Sequence, residues 1–345
     1  MSATVLVSLG NVHRVLFLSL LGLSAASAVE VNLPTDNAAI YNGGGAPFYQ
    51  YVERNFGGVK SYPWEGGQYG FVRDPRAVAG GIVYRKFHEG IDVKPLRRDA
   101  RGVPLDEVRA VAPGEVVHTS TIARHSNYGC YVVIRHIWGG CPYYTLYAHL
   151  NEVLVRAGQK VDARQTVGIL GFTGSGIDPS RAHLHFEVNL LLNNRFEEWS
   201  QKYFKHDPNK HGLYNGQNLA GLDAAAFLKR NHANPNLSVP DFVKPAEVFY
   251  KVCVPAPGPI GLARRYPWMA EGYRGGPAEI SFTRSGLPVK IETSRTAVSQ
   301  PLVTWFKRTS IPLRELTKGY LRNIGAGAAM LSDDGLHYVE LICWP

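Results

Sequence analysis

Two histidines, His183 and His185, stand two residues apart in the stretch 181–188, RAHLHFEV. In a β-strand, residues i and i+2 point to one face. The pair would share one side, with Leu184 and Phe186 on the other. Neutral imidazole is a good zinc ligand, so two rings on one face can begin a metal site. Two further fragments carry similar chemistry. His88-Glu89-Gly90-Ile91-Asp92 sets a histidine and an aspartate four residues apart, and Gly90 with its β-like flanks points to a strand-to-loop bend. The run 144–150, YTLYAHL, adds His149. Alternation groups His149 with Thr145 and Tyr147 and sets Leu146, Ala148 and Leu150 on the opposite face. Each fragment alone also fits an ordinary polar strand position.

The combination is sharper. In chain order it reads H-x-x-x-D, then Y-x-H-L, then the glycine-rich loop 171–176 (GFTGSG), then H-L-H-F-E. Over about residues 86–188 the chain resembles the lysostaphin-type (LytM-like) zinc metalloendopeptidases, exported enzymes that cut the peptide bridges of peptidoglycan. The resemblance implies Zn2+ as cofactor, with His88, Asp92 and His185 as its ligands. It implies His149 and His183 as the catalytic histidines beside the metal, and a peptide of peptidoglycan, in a cross-bridge or stem, as substrate. One departure is visible. The segment 176–182 (GIDPSRA) lengthens the loop before His183, which bears on substrate contacts rather than on the ligand set.

The chemistry is coherent on its own terms. Three protein ligands with one open position is the catalytic zinc pattern. Such a metal lowers the pKa of its water to about 7 and polarises the scissile carbonyl. One histidine can take the water's proton and return it to the leaving amine, and another can hydrogen-bond the developing oxyanion. His149 and His183 hold these tasks jointly, since the sequence does not divide them. Glu89 and Glu187 adjoin ligands and read either as their supports or as solvated charges; Glu187 shares the His185 face if that strand stays regular. His118, His125, His136, His206, His211, His232 and His337 show no ligand spacing. His136, in the hairpin, reads as a surface residue that could also approach the groove, and Arg135 and Lys94 read as solvated strand charges that could also bind carboxylates of a cell-wall peptide.

The elements that must position these groups read as mainly β. The 36 Gly, 22 Pro and 18 Tyr favour strands and turns. The expectation is an antiparallel β-sandwich or barrel-sandwich-like peptidase domain with a groove, plus a C-terminal β-rich α+β domain. Residues 1–28 carry Arg14, the apolar run 15–23 and Ala26-Ser27-Ala28, the pattern of a secretory signal peptide. The expected order is then an irregular segment over 29–75, the zinc endopeptidase domain over 76–190, a helical insertion and linker over 191–245, and an accessory domain over 246–345. Short strands are expected around a hairpin at Trp138-Gly139-Gly140, with helices over 190–204, 223–230 and 310–324. A hairpin over 280–293 and a strand over 337–343 complete the reading.

Net charge is +9, or +8 once Arg14 is set aside with the leader. A basic exported chain suits anionic cell-wall surfaces, and no basic block with interleaved aromatics points to nucleic acid. No transmembrane segment is expected in the mature chain, and the oligomeric state is left open. Cys130, Cys141, Cys253 and Cys343 form no C-x-x-C pair; Cys253 and Cys343 could bridge, Cys130 and Cys141 look out of register, and the connectivity is left open. Two other functions compete with the enzyme. One is a non-catalytic lysostaphin-like regulator of another wall hydrolase, which the intact ligand set opposes. The other is a biotinyl/lipoyl-type carrier, whose short-strand texture residues 157–171 share without the modified lysine turn.

Overall fold

The computed structural model describes residues 30–255, 258, 260–325 and 327–345. The leader reading lies outside the described residues. Among them no helix is long and apolar enough to cross a membrane.

The first segment is less irregular than its composition suggests. It holds a small hairpin, β1 (Arg54–Phe56) and β2 (Val59–Ser61), and then begins a long ribbon, β3 (Gly70–Val78) paired with β4 (Gly81–His88). The main sheet follows: β5 (Ile91–Val93), β6 (Glu107–Arg109), β7 (Gly114–Ser120), β8 (Cys130–Trp138), β9 (Cys141–Val153), β10 (Lys160–Val161), β11 (Thr166–Leu170), β12 (Leu184–Leu191) and β13 (Leu219–Leu222). All its pairings are antiparallel, in the order β10-β7-β8-β9-β11-β6, with β12 joined to β9, β5 and β13. β8 and β9 meet at a two-residue turn, with Trp138 opposite Cys141. Gly139 and Gly140 both have positive φ, 55° and 77°, which glycine adopts without steric cost and which suits the twist of a tight hairpin.

β9 is the spine. One edge pairs with β8, and the other is split. Residues 144–148 pair with β12, and residues 150–153 pair with β11. His149 sits at the division with φ of +65°. On the β8 side Cys130 faces Leu150 and Val132 faces Tyr147, so β9 carries one extra residue there, a bulge. The bulge breaks the expected alternation. Leu150 joins Tyr147 in the main core rather than sharing a face with Leu146 and Ala148, which pack on the opposite side with Tyr131 and Val133. β12 stays regular: Leu184, Phe186, Val188 and Leu190 enter the main core, leaving His185, Glu187 and Asn189 on the other face.

Several expectations for the second half change. β12 runs on to Leu191, so the helix expected over 190–204 begins only at α1 (Phe196–Tyr203). α2 (Ala224–Ala233) and α3 (Val239–Val243) follow, the second burying Val239 and Val243 in a stretch read as linker. A four-stranded sheet then forms from β14 (Tyr250–Val254), β15 (Ala278–Phe282), β16 (Pro288–Thr293) and β17 (Leu302–Phe306), with the short α4 (Gly261–Arg265) between its first two strands. The helix expected over 310–324 is a single turn, α5 (Leu313–Leu316). Gly319, at φ +79°, redirects the chain into β18 (Leu321–Asn323), which pairs with β19 (Ala329–Leu331). The expected strand over 337–343 is instead helix α6 (Asp333–Cys343), capped by Ser332 Oγ accepting from Gly335 N at 3.1 Å. Its buried Gly335, Val339 and Ile342 recur at helical spacing. One continuous core runs from Val31 to Ile342. All four cysteines are unbridged, Cys253 and Cys343 included.

His136 is neither on the surface nor in the groove. It is fully buried, with Nδ1 2.8 Å from Pro113 O and Nε2 2.8 Å from Thr145 Oγ1. Burial pushes its pKa down to about 4. Unfolding restores a value near 6.5, so the unfolded chain binds the proton more readily. The stability His136 contributes is full above pH about 6.5 and is lost as pH falls towards 4, up to about 3 kcal/mol. Urea unfolding between pH about 7.5 and 5 should show wild type losing stability more steeply than His136→Gln; parallel curves would contradict this assignment.

Candidate metal centre

β4 ends at His88, and the bend through Gly90 returns the chain along β12 as β5. A Cβ at Gly90 would lie 2.5 Å from Phe186 O and 2.8 Å from Glu187 Cγ, so this close turn admits only glycine. It places Asp92 opposite His185 in the ladder. His88 Nε2 lies 3.0 Å from His185 Nδ1, and Asp92 Oδ1 lies 3.1 Å from each of them. Tetrahedral zinc with bonds of 2.0–2.1 Å holds its ligand atoms about 3.3 Å apart, close to this triangle.

The outer partners decide what the three atoms offer. His88 Nδ1 donates to Gln68 O at 2.7 Å, and a carbonyl only accepts, so Nε2 turns a lone pair inward. His185 Nε2 donates to Glu187 Oε1 at 2.7 Å, which leaves the Nδ1 lone pair facing the same point. Asp92 adds a carboxylate oxygen, its other oxygen held by Arg73. Three acceptors thus face one another with no donor between them, a donor set that fits a divalent cation. The charges agree. Burial would raise the Asp92 carboxyl, but His88, His183 and Arg73 hold it well below the usual range. Burial would lower His185, but the Asp92 and Glu187 carboxylates beside it push it up to about 9. The field of the two carboxylates calls for positive charge at this point.

The other two histidines flank the trio. His183 precedes β12, donates from Nδ1 to Arg181 O at 2.6 Å and brings Nε2 to 3.4 Å from Asp92 Oδ1. His149 donates from Nδ1 to Thr173 O at 2.9 Å. Its ring centre is 4.7 Å from that of His183 and 5.7 Å from that of His185, and burial pushes its pKa well down. The glycine-rich loop fixes this anchor. Thr173 Oγ1 bonds Leu150 O at 2.8 Å and accepts from Cys130 N at 3.0 Å, stitching the loop to the bulge. Each of the four imidazoles therefore spends one nitrogen on a fixed acceptor, and all five groups border a groove of about 790 Å³.

Residues 86–196 match Peptidase family M23. That segment belongs to peptidase family M23. The chain is 45% identical over 64 residues to the peptidoglycan DD-endopeptidase ShyA of Vibrio cholerae, covering 19% of this chain and 14% of that protein. It is 31% identical over 163 residues to ShyC of the same organism, covering 46% and 36%. It is also 33% identical over 101 residues to the murein hydrolase activator NlpD of Escherichia coli, covering 29% and 22%. The chain thus spans little more than a third of these relatives at most. The catalytic domain of lysostaphin from Staphylococcus simulans aligns over 48% of this chain and 96% of its own at 22% identity, with a TM-score of 0.29, too low to add to the fold read from the strands.

The M23 segment does not hold the whole site. Gln68 and Arg73 precede it, and sequence reading missed both because neither stands beside a ligand in the chain. Glu187, weighed as a support of His185, also accepts from Tyr128 Oη at 3.1 Å and Asn189 Nδ2 at 2.8 Å. Glu89 turns away to Lys318 Nζ at 2.9 Å, and Lys318 also lies over the Phe87 ring at 4.6 Å. Lys318, Tyr320, Asp334 and His337 give the groove a wall from the last part of the chain. Apart from the four imidazoles, Tyr131 Oη joins His118 Nε2 at 2.8 Å to His211 Nδ1 at 2.7 Å, and His211 lines the groove. Arg135 pairs with Glu115 on the neighbouring strand, and neither it nor Lys94 lines the groove. Because Glu187 fixes His185, Glu187→Gln should weaken the affinity of this site for a divalent cation by about 10- to 100-fold. Competition with a chromogenic chelator measures this, and unchanged affinity would remove Glu187 from the centre.

Proposed function

We propose that the chain is an exported zinc metalloendopeptidase that hydrolyses peptide bonds in the cross-bridges or stem peptides of peptidoglycan. The observation that carries this reading is the convergence of three lone pairs from His88, Asp92 and His185, with two anchored histidines beside them. These three would hold zinc, which when bound supplies Lewis-acid activation of the scissile carbonyl and of a water. His149 and His183, each fixed through Nδ1, present Nε2 to the reacting groups. One takes the water's proton at Nε2 and returns it to the leaving amine. The other, once protonated at both nitrogens, donates from Nε2 to the oxyanion as it forms. The activity named for ShyA and ShyC supports peptidoglycan as substrate, and the leader pattern at residues 14–28 supports export.

The likeness to NlpD favours a second reading, an activator without its own turnover. The complete donor set weighs for the enzyme. Digestion of purified peptidoglycan, with released ends identified by mass spectrometry and zinc content measured alongside, separates the two. His185→Ala should lose both zinc and activity. His149→Ala and His183→Ala should keep zinc and lose about 10²–10⁴-fold in turnover. Loss of zinc from His183→Ala with retention in His185→Ala would reverse the assignment. A zinc-loaded wild type without turnover would give the activator reading its place.

A further inference from the structure

Most of the charge around the groove is already committed. Arg73 holds Asp92, Lys318 holds Glu89, and Glu187 is taken by His185, Tyr128 and Asn189. Among the described residues, two cations lining the groove have no acid within ion-pair distance, Lys86 and Arg181. Lys86 is exposed and solvated. Arg181 is half-buried, and only Nη1 is used, donating to Gly176 O at 3.1 Å. Its Nε is covered yet has no acceptor, a donor that is expensive to leave unpaired. Asp178 is near in the chain but forms no ion pair with the Arg181 guanidinium; its Oδ1 caps the turn Pro179–Arg181, accepting from Ser180 N, Ser180 Oγ and Arg181 N.

Position gives this unspent guanidinium a purpose. The carbonyl of Arg181 anchors His183, and the residue lies two positions before it, at most about 7 Å along the chain. We infer that Arg181 is a specificity residue that takes a carboxylate of the substrate peptide close to the scissile bond. The inference rests on the endopeptidase reading above. Guanidinium offers a planar fork of donors that matches a carboxylate, and turning from Gly176 O to a ligand frees Nε to pair. The lengthened loop 176–182 then serves to present this fork beside the reacting groups.

The test compares two matched peptide substrates, one with a free carboxylate on the residue next to the scissile bond and one with the carboxamide there. Wild type should prefer the acid by about tenfold or more in kcat/KM, chiefly through KM. Arg181→Gln should bring that ratio close to one, and Arg181→Lys should restore part of it. Lys86→Gln should leave the ratio as in wild type. A preference that survives in Arg181→Gln, or that disappears in Lys86→Gln instead, would overturn the assignment. If wild type cut neither peptide, the endopeptidase reading would fall, and binding of N-acetyl-alanyl-alanine against its C-terminal amide would decide Arg181 separately. Tighter binding of the acid by wild type but not by Arg181→Gln would uphold the clamp, and equal binding would end it.

Discussion

Three electron-rich atoms held about 3 Å apart repel unless positive charge lies among them, and the fold spends much of its construction on keeping them there. His88 is set by the Gln68 carbonyl, Asp92 by Arg73, and His185 by Glu187. These partners come from the N-terminal segment, the β3–β4 ribbon and the sheet. Removing any of them would let an imidazole turn away or a carboxylate seek another donor. Burial of the trio at 2–8% exposure makes the requirement stricter, because water is not there to substitute for the missing charge.

The bulge at His149 is the second constraint. A regular β9 would send this ring towards Tyr147 and the main core. The left-handed backbone gives that inward position to Leu150 and swings His149 to the groove, at a cost non-glycine residues seldom bear. The split edge of β9 makes the bulge tolerable, since His149 lies where pairing passes from β12 to β11. Local strain is thus held in place by two ladders and by the Thr173 stitch.

The centre was legible because its donors lie in short motifs whose spacing reflects local geometry. H-x-x-x-D spans one bend, and H-x-H spans one face of an alternating strand. The β8–β9 turn was legible because two adjacent glycines carry its geometry. Gln68, Arg73 and Lys318 were not, since each meets its partner across a fold that alternation does not describe. The face of Leu150 was misjudged because one left-handed residue shifts the period. Residues 337–343 read as a strand because their apolar residues permit either period, and the deciding cap, Ser332 with Asp333 and Asp334, stands upstream of the stretch. His136 looked like surface because a histidine hydrogen-bonded wholly within the core has the same letter as one in water.

The contact between Lys318 and Glu89 joins residues 229 positions apart. The entropic cost of closing a loop grows only slowly with its length, but this contact cannot form before residue 318 has been made. During synthesis from the N-terminus, His88, Asp92, His149, His183 and His185 all emerge before the residues that build the opposite wall. The donors can therefore meet while one side of the cleft is still missing. Completion of the cleft waits for residues 318–338, so a nascent chain that stops short of them cannot have the finished shape of the groove.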